Sequence, residues 1–199
     1  MSGTFPTSPN FRALGFQDNR PTLINQTLSG KRQVRQIGGQ YFTFTVSMPP
    51  MKQIEAQAIF AFLQKQKGMF NTFKIGYPLD NLGASKLETD IKVVGIQSAG
   101  DANIASDGFS QTTNSLRAGD LIKFANHTKV YMVTDDITAS GGSASILISP
   151  PLVAAVANNE AITVNKPQFT VYLSTGEISY STDASGFYNI SFEVREVVE

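Results

Sequence analysis

Residues 41–46 alternate between two kinds of side chain, and this pattern dictates much of what the chain can form. Apolar residues stand at the even positions and polar or mixed residues at the odd ones: Tyr41, Phe42, Thr43, Phe44, Thr45 and Val46. Because successive side chains of a β-strand point to opposite faces of its sheet, the spacing predicts a half-buried strand. Such a strand needs antiparallel neighbours and a core.

A hairpin is predicted around this strand. Residues 31–37 and residues 40–46 flank Gly38-Gly39, a pair that can supply the positive φ values of a tight turn. Residues 1–30 are rich in Pro, Asn, Thr and Gly. We therefore expect them to be an extended segment that leads into the first strand.

One segment, at about residues 50–67, has helical spacing. Pro50 suits a first helical position, and Gly68 suits a C-terminal stop. Apolar residues recur every three or four positions: Met51, Ile54, Ala58, Ile59, Phe62 and Leu63. This stripe predicts an amphipathic helix that packs on the apolar face of the strand at residues 40–46.

The rest of the chain indicates short strands. Within residues 90–165 they are separated by Gly, Ser, Asn and Asp clusters, which is typical of a small barrel. Residues 166–199 return to aromatic alternation. The predicted fold class is therefore mainly β with one helix. Residues 1–89 together with 166–199 form a β-barrel or sandwich with a flanking helix, and residues 90–165 form an inserted all-β barrel.

Charge is unevenly distributed, although 16 Lys and Arg balance 16 Asp and Glu. Residues 1–89 hold ten basic and four acidic residues, a surplus of +6. Residues 90–165 hold four against seven, and residues 166–199 hold two against five, so each carries −3. This asymmetry indicates complementary surfaces, either within one fold or between copies.

Catalytic and metal-binding patterns are absent from the sequence. With no Cys and one His, the chain has no disulfide, no thiol nucleophile and no thiolate zinc site. His127 stands in a short turn without a nucleophile motif, and we expect it to be exposed. Asp135 and Asp136 are interpreted as turn formers. We therefore predict no enzymatic activity, no metal and no cofactor.

Candidate site residues lie on the predicted hairpin and near the end of the chain. The cations Lys31, Arg32 and Arg35 admit three interpretations: a subunit contact, a solvated strand or a nucleic-acid site. A subunit contact is favoured, because the chain has three cations on one strand and zero overall charge, whereas domains that bind DNA have a strongly basic face. The predicted inter-subunit residues are Lys31, Arg32, Arg35, Tyr41, Thr43, Thr45, Glu193 and Glu196, with Glu199 as a further acidic group.

Residues 1–6 lack the charged and apolar regions of a secretory signal, and no apolar run is long enough to span a bilayer. We therefore expect the chain to be made and kept in a cytoplasm, with no membrane insertion.

Several stretches together resemble the tail proteins of long-tailed bacteriophages, most closely the distal tail protein of siphophages. They are SGKRQVRQIGGQYFTFTVSMPPM, KQIEAQAIFAFLQKQKG, MFNTFKIGYP and the closing YNISFEVREVV. The resemblance covers residues 27–78 and 187–198, and it covers the insertion only in kind.

The resemblance implies a tail-tube-like domain that forms a ring, expected to be a hexamer, and an inserted OB-like or galectin-like barrel. It implies a structural virion protein at the tail tip, assembled in the host bacterial cytoplasm, which joins the tail tube to the tip. Its partners would be its own copies, the tail-tube protein, a baseplate hub or tape-measure protein, and receptor-binding or side-fibre proteins. No sequence-specific nucleic acid is implied.

Two alternatives stay open at this point. A tail-tube or tail-terminator protein would share the ring-forming domain, although the inserted domain argues mildly against both. A non-catalytic carbohydrate-binding module would usually present exposed Trp or Tyr platforms, and this chain has no Trp.

Overall fold

The computed structural model describes residues 3–198, and Glu199 lies outside them. About 40% of the chain is in strands and 7% in one helix, and one sheet is a nearly closed barrel. The predicted fold class, mainly β with one helix, is confirmed. That the inserted barrel is OB-like or galectin-like stays a prediction.

The elements of the described residues are as follows, in chain order. They are β1 (Ala13–Asn19), β2 (Thr22–Gln26), β3 (Arg32–Gln36), β4 (Tyr41–Ser47), α1 (Gln53–Lys65), β5 (Phe73–Gly76), β6 (Lys92–Val93), β7 (Asn103–Asp107), β8 (Leu121–Phe124), β9 (Tyr131–Val133), β10 (Ser143–Ser149), β11 (Ile162–Thr163), β12 (Gln168–Leu173), β13 (Ser179–Thr182) and β14 (Tyr188–Glu196).

The first sheet joins strands from both ends of the chain. Its order is β1-β4-β14-β12-β5, and β13 pairs with β14 outside this path. The even residues of β4 lie on its inner face, where Phe44 meets the ring of Phe169 from β12 with a centroid distance of 4.7 Å. Alternation in the sequence therefore does put these aromatic side chains into a core, shared by strands on either side of residues 90–165.

The predicted hairpin between residues 31–37 and 40–46 is wrong. β3 pairs with β2, while β4 pairs with β1 and β14. The turn lies instead at residues 27–31, where the backbone N–H of Lys31 donates to the Thr27 hydroxyl. Residues 1–30 consequently contain two strands and are not a simple extended segment. The pairing of β1 with β4 and the pairing of β2 with β3 are in different registers. Gly38, with φ +96°, lies between β3 and β4, where the register changes.

The helix is confirmed, but only part of the predicted stripe is buried. Ala56, Ile59 and Leu63 are buried, whereas Ile54 is 78% exposed and Ala58 is also exposed. The helix packs on β14 and shares the core of the first sheet. The buried side of the helix therefore keeps Ile59 and Leu63 of the stripe, loses Ile54 and Ala58, and gains Ala56.

The second sheet runs β11-β8-β9-β10-β7-β6. Its two ends meet, because Lys92 bridges Ala161 and the N–H of Ile162 donates to the carbonyl of Ile91 over 2.9 Å. The sheet therefore closes on a separate apolar core that includes Ile104 and Phe124. The division of the chain into 1–89 with 166–199 and 90–165 stays a prediction, and these two cores are its support.

The two connections to the barrel run side by side. Asn81 donates its amide N–H groups to the carbonyls of Leu121 and Val164, each over 2.8 Å. Asp120 accepts the N–H groups of Leu82 and Gly83 on the same connection. The entering segment is therefore tied to the barrel by buried polar groups, which are costly to leave unpaired.

Among the described residues, no helix has the length and apolar character needed to cross a membrane.

Candidate assembly interface

The ribbon formed by β2 and β3 projects from the first sheet, and residues 22–36 are called the arm here. All ten strand residues of the arm are exposed. The predicted cations Lys31, Arg32 and Arg35 are on it, together with apolar side chains such as Ile24 and Val34. An isolated two-stranded ribbon is marginally stable in water, so this element gains stability when another surface covers it.

The odd residues of β4 lie on the outer face of the first sheet. Thr45 stands opposite Glu193 in the register of β4 and β14, and Thr43 stands opposite Arg195. The guanidinium of Arg195 lies 3.6 Å from the ring centroid of Tyr41. The structure thus brings four predicted interface residues together: Tyr41, Thr43, Thr45 and Glu193.

Thr43 is the least accessible of these four. Its side chain is buried, and its hydroxyl accepts the Asn19 amide N–H over 2.9 Å and donates to the Gln17 carbonyl oxygen over 3.3 Å. Within the chain, Thr43 therefore joins β4 to β1. Tyr41 is half-buried, while Thr45 and Glu193 are exposed.

Glu196 is not on the outer face. Its carboxylate is fully buried, forms an ion pair with Lys129 and accepts the backbone N–H groups of Phe42 and Val130. Burial raises the pKa of Glu196 and lowers the pKa of Lys129, and the charge of each partner opposes the shift of the other. Because its carboxylate is bound within the chain, Glu196 is not free to pair with a neighbouring copy.

This ion pair was missed by sequence reasoning. Lys129 lies in the turn between β8 and β9 of the barrel, and its amine is 4.4 Å from the ring centroid of Phe42 in the first sheet. The pair joins the two sheets across a separation of 67 residues in the chain. Neither residue is part of a motif, so no local signal in the sequence could have found it.

His127 is buried, contrary to the prediction of an exposed turn. Its Nδ1 and the Tyr131 hydroxyl are 2.7 Å apart, and that hydroxyl accepts the N–H of Val153. Burial lowers the pKa of His127 and raises the pKa of Tyr131 to about 12. The ring of Phe124 lies edge-on against the imidazole at 5.6 Å. This arrangement fastens a turn onto the barrel core and includes no nucleophile.

A groove between α1 and the β13–β14 hairpin was also missed. Phe60 and Tyr180 form an edge-to-face pair at 5.1 Å, and Tyr188 lies 5.4 Å from Tyr180. The groove has a volume of about 250 Å³, and Ala61 stands on its helical wall. Phe60 lies off the predicted apolar stripe, which was the one available signal that this side of the helix meets another surface.

No group of three or more His, Cys, Asp or Glu side chains within residues 3–198 could hold a metal ion. What the molecule does present is an exposed arm, a polar outer face and an aromatic groove. These features define a mainly β protein without a recognisable catalytic or metal centre among the described residues, whose notable features are exposed surfaces.

The comparisons with known proteins point to one family. Residues 84–169 match the family model described as distal tail protein pb9, B domain. This range includes the predicted inserted domain at residues 90–165. The chain as a whole resembles the distal tail proteins of siphophages, and the matches support a structural distal tail protein.

One similar protein is the distal tail protein pb9 of Escherichia phage T5. It is 29% identical to this chain over 202 aligned residues, which cover 96% of this chain and 96% of that protein. The similarity therefore extends beyond residues 84–169 to the strands of the first sheet.

Proposed function

We propose that copies of this chain close into a ring at the tip of a phage tail, where the ring joins the tail tube to the tip proteins. The observation that carries the proposal is the arm, because it leaves a two-stranded ribbon with apolar and cationic side chains exposed. The whole-length similarity to a distal tail protein supports the location.

The arm and the outer face are different surfaces of one copy. Contacts between unlike surfaces are head-to-tail, and they close into a ring when the rotation per subunit permits. Lys31, Arg32 and Arg35 on the arm, with Tyr41, Thr45 and Glu193 on the outer face, are the residues proposed to meet neighbouring copies. Tyr and Arg are enriched in such interfaces. A six-fold ring is the size that the resemblance implies.

The proposed role is structural and not enzymatic. Its partners are other copies, the tail-tube protein, a hub or tape-measure protein, and receptor-binding or side-fibre proteins held by the barrel. The proposed site of assembly is the host cytoplasm. The buried environment of His127, which faces a tyrosine and no nucleophile, supports a role without catalysis.

The test is the double variant Arg32→Glu with Arg35→Glu, examined by light scattering and negative-stain imaging across concentration. We expect the wild-type ring to be lost or to form only at higher concentration, because reversed charges misdirect association. Lys86→Glu with Lys92→Glu, near and on the barrel, is the matched control and keeps the ring. A double arm variant that assembles like the wild type, or a wild type that stays monomeric throughout, would contradict the proposal.

A further inference from the structure

We infer that the arm of one copy docks in the groove between α1 and β13 of a second copy. The inference rests on the ring proposed above and adds the surface that receives the arm. The arm and the groove are both present in every copy. Each copy can therefore contact one neighbour with its arm and another with its groove.

The arm offers an apolar pair on one face. Ile24 and Val34 stand directly opposite each other in the register of β2 and β3. They are 56% and 51% exposed, so neither is covered within its own chain. Side chains directly opposite on one face lie close together, and this pair therefore forms a single apolar contact area.

The groove offers an aromatic surface of matching character. Tyr180 is 50% exposed, and its ring leans on Phe60 from the helix and on Tyr188 from the next strand. These ring contacts hold the aromatic side chains in place before anything binds. Fixed aromatic residues beside a pocket are the residues that dominate protein interfaces, because little conformational entropy is lost on binding.

An unpaired strand edge runs beside the groove. In the part of the chain that the structure describes, one edge of β13 is hydrogen-bonded to β14. No described strand pairs with its other edge. Tyr180 stands opposite Ile190, so its side chain is on the face of β13 that carries the groove. A strand of the arm added at this edge would place its own side chains over the groove.

Charge favours the same pairing. Residues 22–36 contain three cations, Lys31, Arg32 and Arg35, and no acid. Residues 174–188 contain two acids, Glu177 and Asp183, and no cation. Complementary charges of this kind direct encounter and fix register, and they act more on partner choice than on affinity.

The test uses engineered cysteines, since the natural chain has none. Gln26→Cys places a thiol on the arm face that carries Ile24, and Ala61→Cys places one on the wall of the groove. The two variants carry different mass tags and are mixed, and covalent heterodimer is counted after mild oxidation with diamide. All substituted positions are exposed, and circular dichroism checks that each variant folds.

Two mixtures serve as controls. In one, Asn25→Cys on the opposite face of the arm replaces Gln26→Cys. In the other, Ala157→Cys on the barrel replaces Ala61→Cys. We expect about tenfold more heterodimer from the test mixture than from either control, because docking holds the two thiols at a high effective concentration. Yields no higher than those of the controls would overturn the inference.

A charge exchange supplies the second readout. Arg32→Glu on the arm variant lowers the yield, and Glu177→Arg on the groove variant restores it, whereas Asp135→Arg on the barrel does not. If the wild type forms rings but the test mixture gives no more heterodimer than the controls, the docking alone is refuted. Preferred cross-linking without a ring would refute the proposed ring and leave the docking.

Discussion

At the scale of single residues, the buried pair of Lys129 and Glu196 has the largest predicted effect. Lys129→Met leaves the carboxylate of Glu196 in the interior without its counter-charge. We expect the free energy of unfolding to fall by about 3–5 kcal/mol, as when one partner of a buried ion pair is removed. Urea unfolding followed by circular dichroism measures it.

The control for this change is Lys166→Met. Lys166 pairs with Asp80 over 3.0 Å, but both side chains are more than half exposed. Exposed pairs contribute about 0–1 kcal/mol, so this variant should be close to the wild type. Adding Glu196→Gln to Lys129→Met should recover part of the loss, because the amide is neutral and its oxygen still accepts an N–H. Equal losses in the Lys129 and Lys166 variants would show that the buried pair has no special role.

His127 predicts a pH dependence whose sign follows from its burial. Burial lowers its folded pKa below the ordinary value of 6.5. Below that value the unfolded chain binds a proton that the folded chain does not, so the free energy of unfolding decreases as the pH falls through 6.5. His127→Asn removes this contribution, so the difference in stability between pH 7 and pH 5 should be smaller in the variant. Parallel stabilities of the two proteins across this range would contradict the assignment.

At the scale of elements, α1 provides a direct comparison of two apolar residues. Leu63 is fully buried, whereas Ile54 is 78% exposed. We expect Leu63→Ala to lower the free energy of unfolding by about 2–5 kcal/mol, because it leaves a cavity in the core of the first sheet. Ile54→Ala should change it little. Thermal unfolding of the two variants measures both effects, and a larger loss for Ile54→Ala would contradict the burial of Leu63 and the exposure of Ile54.

The elements that could be predicted from sequence are those determined by local pattern. Alternation at residues 40–46 predicted β4 and its inner face, and the helical spacing predicted α1. Strand partners could not be predicted in the same way. Gly38-Gly39 has the composition of a hairpin turn, but the side chain of Thr27 closes the turn at residues 27–31 instead. Pairing depends on contacts between distant strands, which a local pattern does not contain.

The same distinction between local pattern and distant contacts applies to the residues of the candidate site. The cations of the arm could be predicted to be exposed, because they are charged and belong to a strand without an apolar face. Glu196 was predicted to lie at an interface on the same grounds, because it is charged. Only the position of Lys129 on the barrel explains its burial. The groove beside Phe60 could not be predicted without the position of β13. The four residues of that strand are all exposed.

At the scale of the whole molecule, the two sheets share more than their connections. Leu121 and Val130 belong to the second sheet and its turn, yet they are buried in the core of the first sheet. Together with Lys129 and Glu196, they fix the barrel at one end of that core. In the proposed ring, barrels held in this way would present their outer loops at a constant orientation.

The last prediction concerns this coupling. Because the core of the first sheet buries Leu121 and Val130 of the barrel and the Lys129–Glu196 pair joins the two sheets, we expect the wild-type chain to unfold in one transition, with calorimetric and van't Hoff enthalpies equal. Leu121→Ala combined with Lys129→Met removes an apolar contact and the ion pair between the sheets, so the single transition should broaden or split into two. Ile104→Ala is the matched control, because Ile104 is buried in the core of the barrel alone. It should lower the transition temperature without splitting the transition. Two separate transitions in the wild type would show that the sheets fold independently.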